Sequence, residues 1–338
     1  MNDDNLFDNF LSTVPEDIRS ILNINSFSGL SEKLEIGTVI KAALKLFSEQ
    51  FNACWTLLAT LLVIVMLISF MEKLEFTSSG VLKRITSGVA SITLISLSLV
   101  YINSNFESVK DAVETMKIFT SASVPVIVAS CISSGEAFSA TLFSTTMSFA
   151  NAMFDLLLDK VLLSLIVAYI CFGATGSISQ RFNSASVNTY VKRFIKWIVG
   201  LYIGVLTFLV SLQRFVGSAT DNLAKRSIKL AVGSLIPFIG SSISTSIDSA
   251  FALGQAGKTT VCVSGVIVLM VIFAPVIIGC ICYGFVFSIT KAIAYYLEVN
   301  SIVLSCSVIG DSFYILAGLL CACVYSVIIS FFVICINI

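Results

Sequence analysis

The chain of 338 residues contains no histidine, only four prolines, and charged side chains at 12%. Without histidine it lacks the commonest general base and the commonest metal ligand. Soluble domains carry about 25% charged residues, so this chain cannot cover itself with a wetted surface. With 57% hydrophobic residues it reads as an integral membrane protein, with lipid as its first partner. Lys plus Arg, 20, equals Asp plus Glu, 20, so net charge says nothing about nucleic acid, and no nucleic-acid partner is expected. Charge is also scarce towards the end, where Asp311 stands alone after Glu298.

Cysteine is plentiful, ten residues in all, but every one lies in an apolar run. There it behaves as a small hydrophobe. The pairs Cys280/Cys282 and Cys321/Cys323 have a spacing of two, which points them to different faces of a helix. No metal centre, cofactor or redox site is expected from them.

Residues 1–51 form a polar head. Thr13 and Glu16 have capping-box spacing around Pro15, which starts a short helix. From Ser31, apolar residues at helical spacing (Leu34, Ile40, Leu44, Phe47) alternate with lysines, giving an amphipathic helix that lies on the membrane, on a partner or on its own bundle. Met1 to Phe10 shows neither a basic start nor an apolar h-region, so no signal peptide is read there.

Beyond the head, apolar segments at 53–70, 85–102, 137–157, 161–178, 195–215, 260–285 and 312–336 each approach the ~20 residues that cross hydrocarbon. Pro275 should bend or tilt the segment 260–285. Gly200 and Gly204 make a GxxxG whose default use is intramolecular packing. Tyr295 and Tyr296 read as an interfacial anchor.

Two further stretches are too interrupted for a clean span and too apolar for a loop. Lys117–Glu136 aligns without gaps on Lys229–Asp248, pairing Lys117 with Lys229, Pro125 with Pro237 and Glu136 with Asp248; the second copy adds Gly240. Irregular backbone at membrane depth must be buried in protein or line a wet cavity. The order of two spans, broken element and span occurs twice, an internal duplication. The expected fold is an all-α polytopic membrane helix bundle, with seven crossings if the broken elements re-enter and nine if they cross. Loop charges do not separate the two counts. The expected division is head 1–51, first repeat 52–158, second repeat 159–287, and an interfacial segment with a last transmembrane helix at 288–338.

Charges near membrane depth are the candidate site. Lys117, Pro125 and Glu136, with Lys229, Pro237, Gly240 and Asp248, either line an ion or solute path or mark helix ends at the interface. Asp155, Asp159 and Lys160 read as solvated residues of a link between halves, and Asp311 as a helix cap. Lys192, Arg193, Lys196 and Arg214 read as headgroup contacts. Gly257-Lys258-Thr259-Thr260 imitates the end of a phosphate loop, but Ala252 stands where the first glycine belongs, and Lys258 reads as a snorkelling charge at a helix end.

From Lys225 onward the chain resembles the stage III sporulation protein AE family of endospore-forming bacteria. The likeness rests on Lys229, Ile236-Pro237 with Gly240, Asp248, Pro275 in a long span, and Gly310-Asp311 before a final apolar helix. It extends more faintly back to about residue 35 through Pro125 and Ser133-Ser134-Gly135. Members begin with a cleavable signal and a longer polar head, neither of which is read here. The resemblance implies a multipass protein of the mother-cell membrane around the forespore. There it would act with the other products of its operon and a forespore partner in a channel across two membranes, supporting forespore development and late sigma-factor activity. A self-contained secondary transporter with Glu136 and Asp248 in ion coupling is the alternative. An enzyme is not expected, because no nucleophile–base motif is present.

Overall fold

The structure is a computed structural model and describes residues 52, 54–70, 80–178, 184–235 and 240–335. The polar head, with its capping box and amphipathic helix, lies outside the described residues. The described residues are helical with short turns and contain no strand. In chain order they form α1 (Cys54–Phe70), α2 (Gly80–Ser133), α3 (Ala137–Phe154), a π-helical segment (Asp155–Leu162) and α4 (Leu163–Ile178). Then come α5 (Ser184–Leu235), α6 (Gly240–Tyr296) and α7 (Asn300–Cys335).

Length is the unexpected property. At 54 residues, α2 would measure ~80 Å as a straight rod, against a hydrocarbon core of ~30 Å. Four helical stretches among the described residues are long and apolar enough to cross a membrane: Ser91–Ser133, Ser186–Ser227, Ser249–Tyr296 and Ile302–Cys335. Cys54–Phe70 and Leu163–Gly176 are shorter apolar helices.

Contacts fix the relative directions of these rods. Tyr101 lies beside Tyr283 and Ser133 beside Gly254, so α2 and α6 run antiparallel. Phe287 stacks on Phe313 and Gly265 meets Phe331, so α6 and α7 are antiparallel too, joined by the tight turn at Leu297 and Glu298. Phe154 meets Tyr202 and Ser139 meets Gly217, which sets α3 antiparallel to α5. Ion and hydroxyl pairs, Lys192 with Asp311 and Tyr202 with Ser326, set α5 parallel to α7. The core between these rods is aromatic, with Phe119, Phe143, Phe273, Phe287, Phe313 and Phe331 fully buried. Outside, Met66, Trp197, Phe208, Phe215 and Phe332 are exposed. Such a surface is the lipid-facing side of a membrane protein; between the rods, close van der Waals packing supplies the cohesion.

Three expectations change here. The interruption expected at Pro125 is absent, because α2 is continuous through it. Serine and threonine do not break this stretch, since Ser123 and Ser130 donate back to the carbonyls of Phe119 and Val126 four residues earlier. Their hydroxyls are thereby satisfied inside the helix. The break falls at Ser134-Gly135 instead. In the second stretch α5 ends at Leu235 and α6 begins at Gly240, whereas the partners of Ser134-Gly135, Ser246 and Ile247, are helical. The second stretch therefore does not share the break at Ser134-Gly135, and its residues 236–239 lie outside the described residues.

Second, the segments 137–157 and 161–178 are not separated by a turn. Asp155–Leu162 is π-helical and joins α3 to α4 without a break. No glycine or proline occurs between Gly135 and Gly173, so nothing there stops a helix, and a π segment absorbs an extra residue without ending it. Third, Asp311 caps nothing. It lies inside α7, 2.7 Å from Lys192, and accepts a hydrogen bond from Tyr169 on α4.

Candidate functional site

The site grows from the way α2 stops. Gly135 has φ +73, the left-handed conformation that glycine adopts without strain. Around it the N–H of Glu136 donates to the carbonyl of Cys131 at 2.8 Å and the N–H of Gly135 to Ile132 at 3.0 Å. This is the Schellman pattern of a helix end. The same turn delivers Glu136 to the N-cap of α3, but its side chain makes no capping bond.

Another helix caps α3 in its place. Asp221 on α5 accepts from the N–H of Phe138 and of Ser139, both at 3.0 Å, one with each carboxylate oxygen. An acid at a helix N-terminus satisfies free N–H groups and complements the helix dipole. With the cap supplied by Asp221, the Glu136 carboxylate is free to face the other way. It accepts from Lys258 on α6 at 2.7 Å and from Lys225 on α5 at 3.3 Å.

Three of these groups are sealed in, and Lys225 is half-buried beside them. Lys258 is 0% exposed, Glu136 3% and Asp221 4%. Close backbone approach makes the seal: a Cβ on Gly254 would sit 2.8 Å from the backbone of Ser133 and Ser134. Gly254 and Lys258 are four apart and therefore on one face of α6, so the glycine that admits α2 also aims the lysine. Lys225 also lies 5.6 Å over the Phe251 ring, a cation–π contact. Two carboxylates and two ammonium groups balance, which is how buried charge is tolerated. Further along the same face of α5, Gln213 is buried with neither amide atom hydrogen-bonded.

The sequence-derived candidates are divided by the structure. Glu136 is central to this cluster. Lys117 is not part of it: it lies more than four turns before the end of α2 and pairs with Asp155 in the π segment. Asp155 is thus an ion-pair partner of a neighbouring helix and no mere turn residue. Pro125 sits inside α2 between the two pairs. Gly240 opens α6, while Pro237 and the side chains of Lys229 and Asp248 lie outside the described residues. Lys258, expected to be a snorkelling end charge, is mid-helix and fully buried, and Glu136 is the reason it can be. That helical setting also removes the phosphate-loop likeness of Gly257–Thr260. Lys225 and Asp221 were missed, although their i, i+4 spacing on a mostly apolar helix puts both on the face of Gly217, which approaches Ser139. Gly200 and Gly204 meet no neighbouring atoms where a Cβ would stand, so they do not pack within the described bundle.

Long apolar rods around a sealed cluster of opposite charges define an all-helical integral membrane protein. No group of His, Cys, Asp or Glu among the described residues is arranged to hold a metal ion. The family model described as Stage III sporulation protein AE matches residues 21–338, and the chain belongs to that family, a family of sporulation. The chain is similar to the Stage III sporulation protein AE of Bacillus subtilis (strain 168), 23% identical over 283 residues, which cover 83% of this chain and 71% of the relative. No solved structure matches.

Proposed function

We propose that the protein is a non-enzymatic, multipass subunit of the channel or secretion complex linking mother cell and forespore, seated in the mother-cell membrane. Through that complex it would support forespore development and late sigma-factor activity. The observation that carries this is membership of the sporulation family across a chain built of membrane-length helices. Two features favour a subunit over a free-standing machine. The open Gly200–Gly204 face offers a close approach to a partner helix. The Glu136 cluster is charge-balanced and mostly buried, as suits a joint between rods. The test is affinity capture of the tagged protein from sporulating cells. Co-purification of the sibling channel proteins supports the reading, and recovery of the protein alone from cells that contain them sinks it.

A second reading, a stand-alone secondary transporter with an inverted-repeat core, draws on the carboxylate held between two lysines and on the unbonded Gln213 nearby. Buried ionisable groups in membrane helices are a common feature of ion pathways. Solute uptake by the purified protein in vesicles, lost in Glu136→Gln, is the result that reading requires.

A further inference from the structure

Away from the charge cluster, α5 and α7 run side by side, pinned by Lys192 to Asp311 and, deeper, by Tyr202 to Ser326 at 3.1 Å. Near the first of these pins a cleft of about 400 Å³ opens. Lys192, Lys196, Asp311 and Tyr314 line its polar part, and Gly318 and Leu319 continue it along α7 as an apolar slot. Asp311 is already bonded to Lys192 and Tyr169. Lys196 is exposed and takes part in none of the ion pairs among the described residues, so among those residues the mouth carries one net positive charge.

The depth is also informative. Exposed Tyr190 and Trp197 flank the lysines on α5, and such aromatics sit at the level of lipid headgroups. Beyond Trp197, α5 turns apolar. At Gly318 a Cβ would meet nothing within 4 Å, so the slot beside it is open. A cationic mouth at headgroup depth above an apolar slot matches an amphiphile with an anionic head. Basic pockets between transmembrane helices bind anionic headgroups elsewhere on this principle.

We propose that the α5–α7 cleft is a binding site for an anionic phospholipid, its phosphate held at Lys196 beside Lys192 and one acyl chain lying along Gly318 and Leu319. The unpaired Lys196 selects anionic over zwitterionic lipid, and the open slot selects lipid over a free anion. The full-length protein in detergent is supplied with phosphatidylglycerol or phosphatidylcholine, and bound lipid is counted by native mass spectrometry. Preferential retention of phosphatidylglycerol is expected. Lys196→Gln should weaken that retention about fivefold, and Gly318→Leu, which fills the slot, should abolish it. Equal retention of the two lipids overturns the proposal, as does unchanged retention in both variants. Inorganic phosphate displacing phosphatidylglycerol from the protein would indicate an anion site without a chain and overturns it as well. Should Gly318→Leu fail to give a monodisperse gel-filtration profile, Lys196→Gln, a change at an exposed side chain, decides alone.

Discussion

At its N-terminal end α3 meets Glu136, 3% exposed and held by Lys258 and Lys225. At its other end it runs into Asp155, which pairs with Lys117 and whose side chain is 58% exposed. Lysine and carboxylate meet at both ends, yet their energetics differ. Where an exposed pair reaches water it is worth at most about 1 kcal/mol. Buried, the pair gains little over an apolar replacement, but losing one partner strands the other at a cost of about 3–5 kcal/mol. The backbone follows the same division. A glycine turn ends the helix at the buried pair, whereas at the exposed pair the helix continues as a π segment.

Substitutions at the two ends measure how far this difference goes, with thermal unfolding of the purified protein in detergent as the readout. Glu136→Ala should be the most damaging, at about 3–5 kcal/mol, because Lys258 is then buried without a partner. If the cost is desolvation, the double variant Glu136→Leu/Lys258→Met recovers most of the loss; a double variant as unstable as the single one would break the account. Asp221→Ala removes the cap of α3 and should cost about 2 kcal/mol. Gly135→Ala places a Cβ 2.8 Å from the Phe251 ring in a left-handed residue and should cost about 1–2 kcal/mol. Lys117→Ala should be the mildest, below about 1 kcal/mol. A loss there equal to that of Glu136→Ala would erase the distinction between the two ends.

Much of this could be read from residue order, and the failures have specific causes. Membrane class and the positions of most apolar segments, though not of 137–157, follow from hydropathy, which is a sum over many residues and tolerates local error. Glu136 stands out in the sequence because it falls opposite Asp248 in the aligned stretches, a carboxylate near membrane depth in so apolar a chain. At Pro125 proline and serine read as breakers, whereas hydroxyls bonded to carbonyls within α2 leave the helix intact. The continuity of α3 into α4 is legible in the absence of glycine and proline from Glu136 to Phe172, although the charges of Asp155, Asp159 and Lys160 imitate a solvated turn. Lys258 could not be placed by local pattern at all. Its partner is 122 residues earlier, and only packing of α6 against the α2–α3 turn brings them together.

That separation has a consequence for how the chain is made. Glu136 leaves the ribosome well before either cation, since Lys225 follows 89 residues later and Lys258 after 122. At ~5–20 residues per second, the carboxylate waits for several seconds beside the membrane without its companions. Insertion of the α2–α3 hairpin is therefore provisional until α6 arrives, and a nascent chain truncated before Lys258 should be recognised and degraded as an orphan.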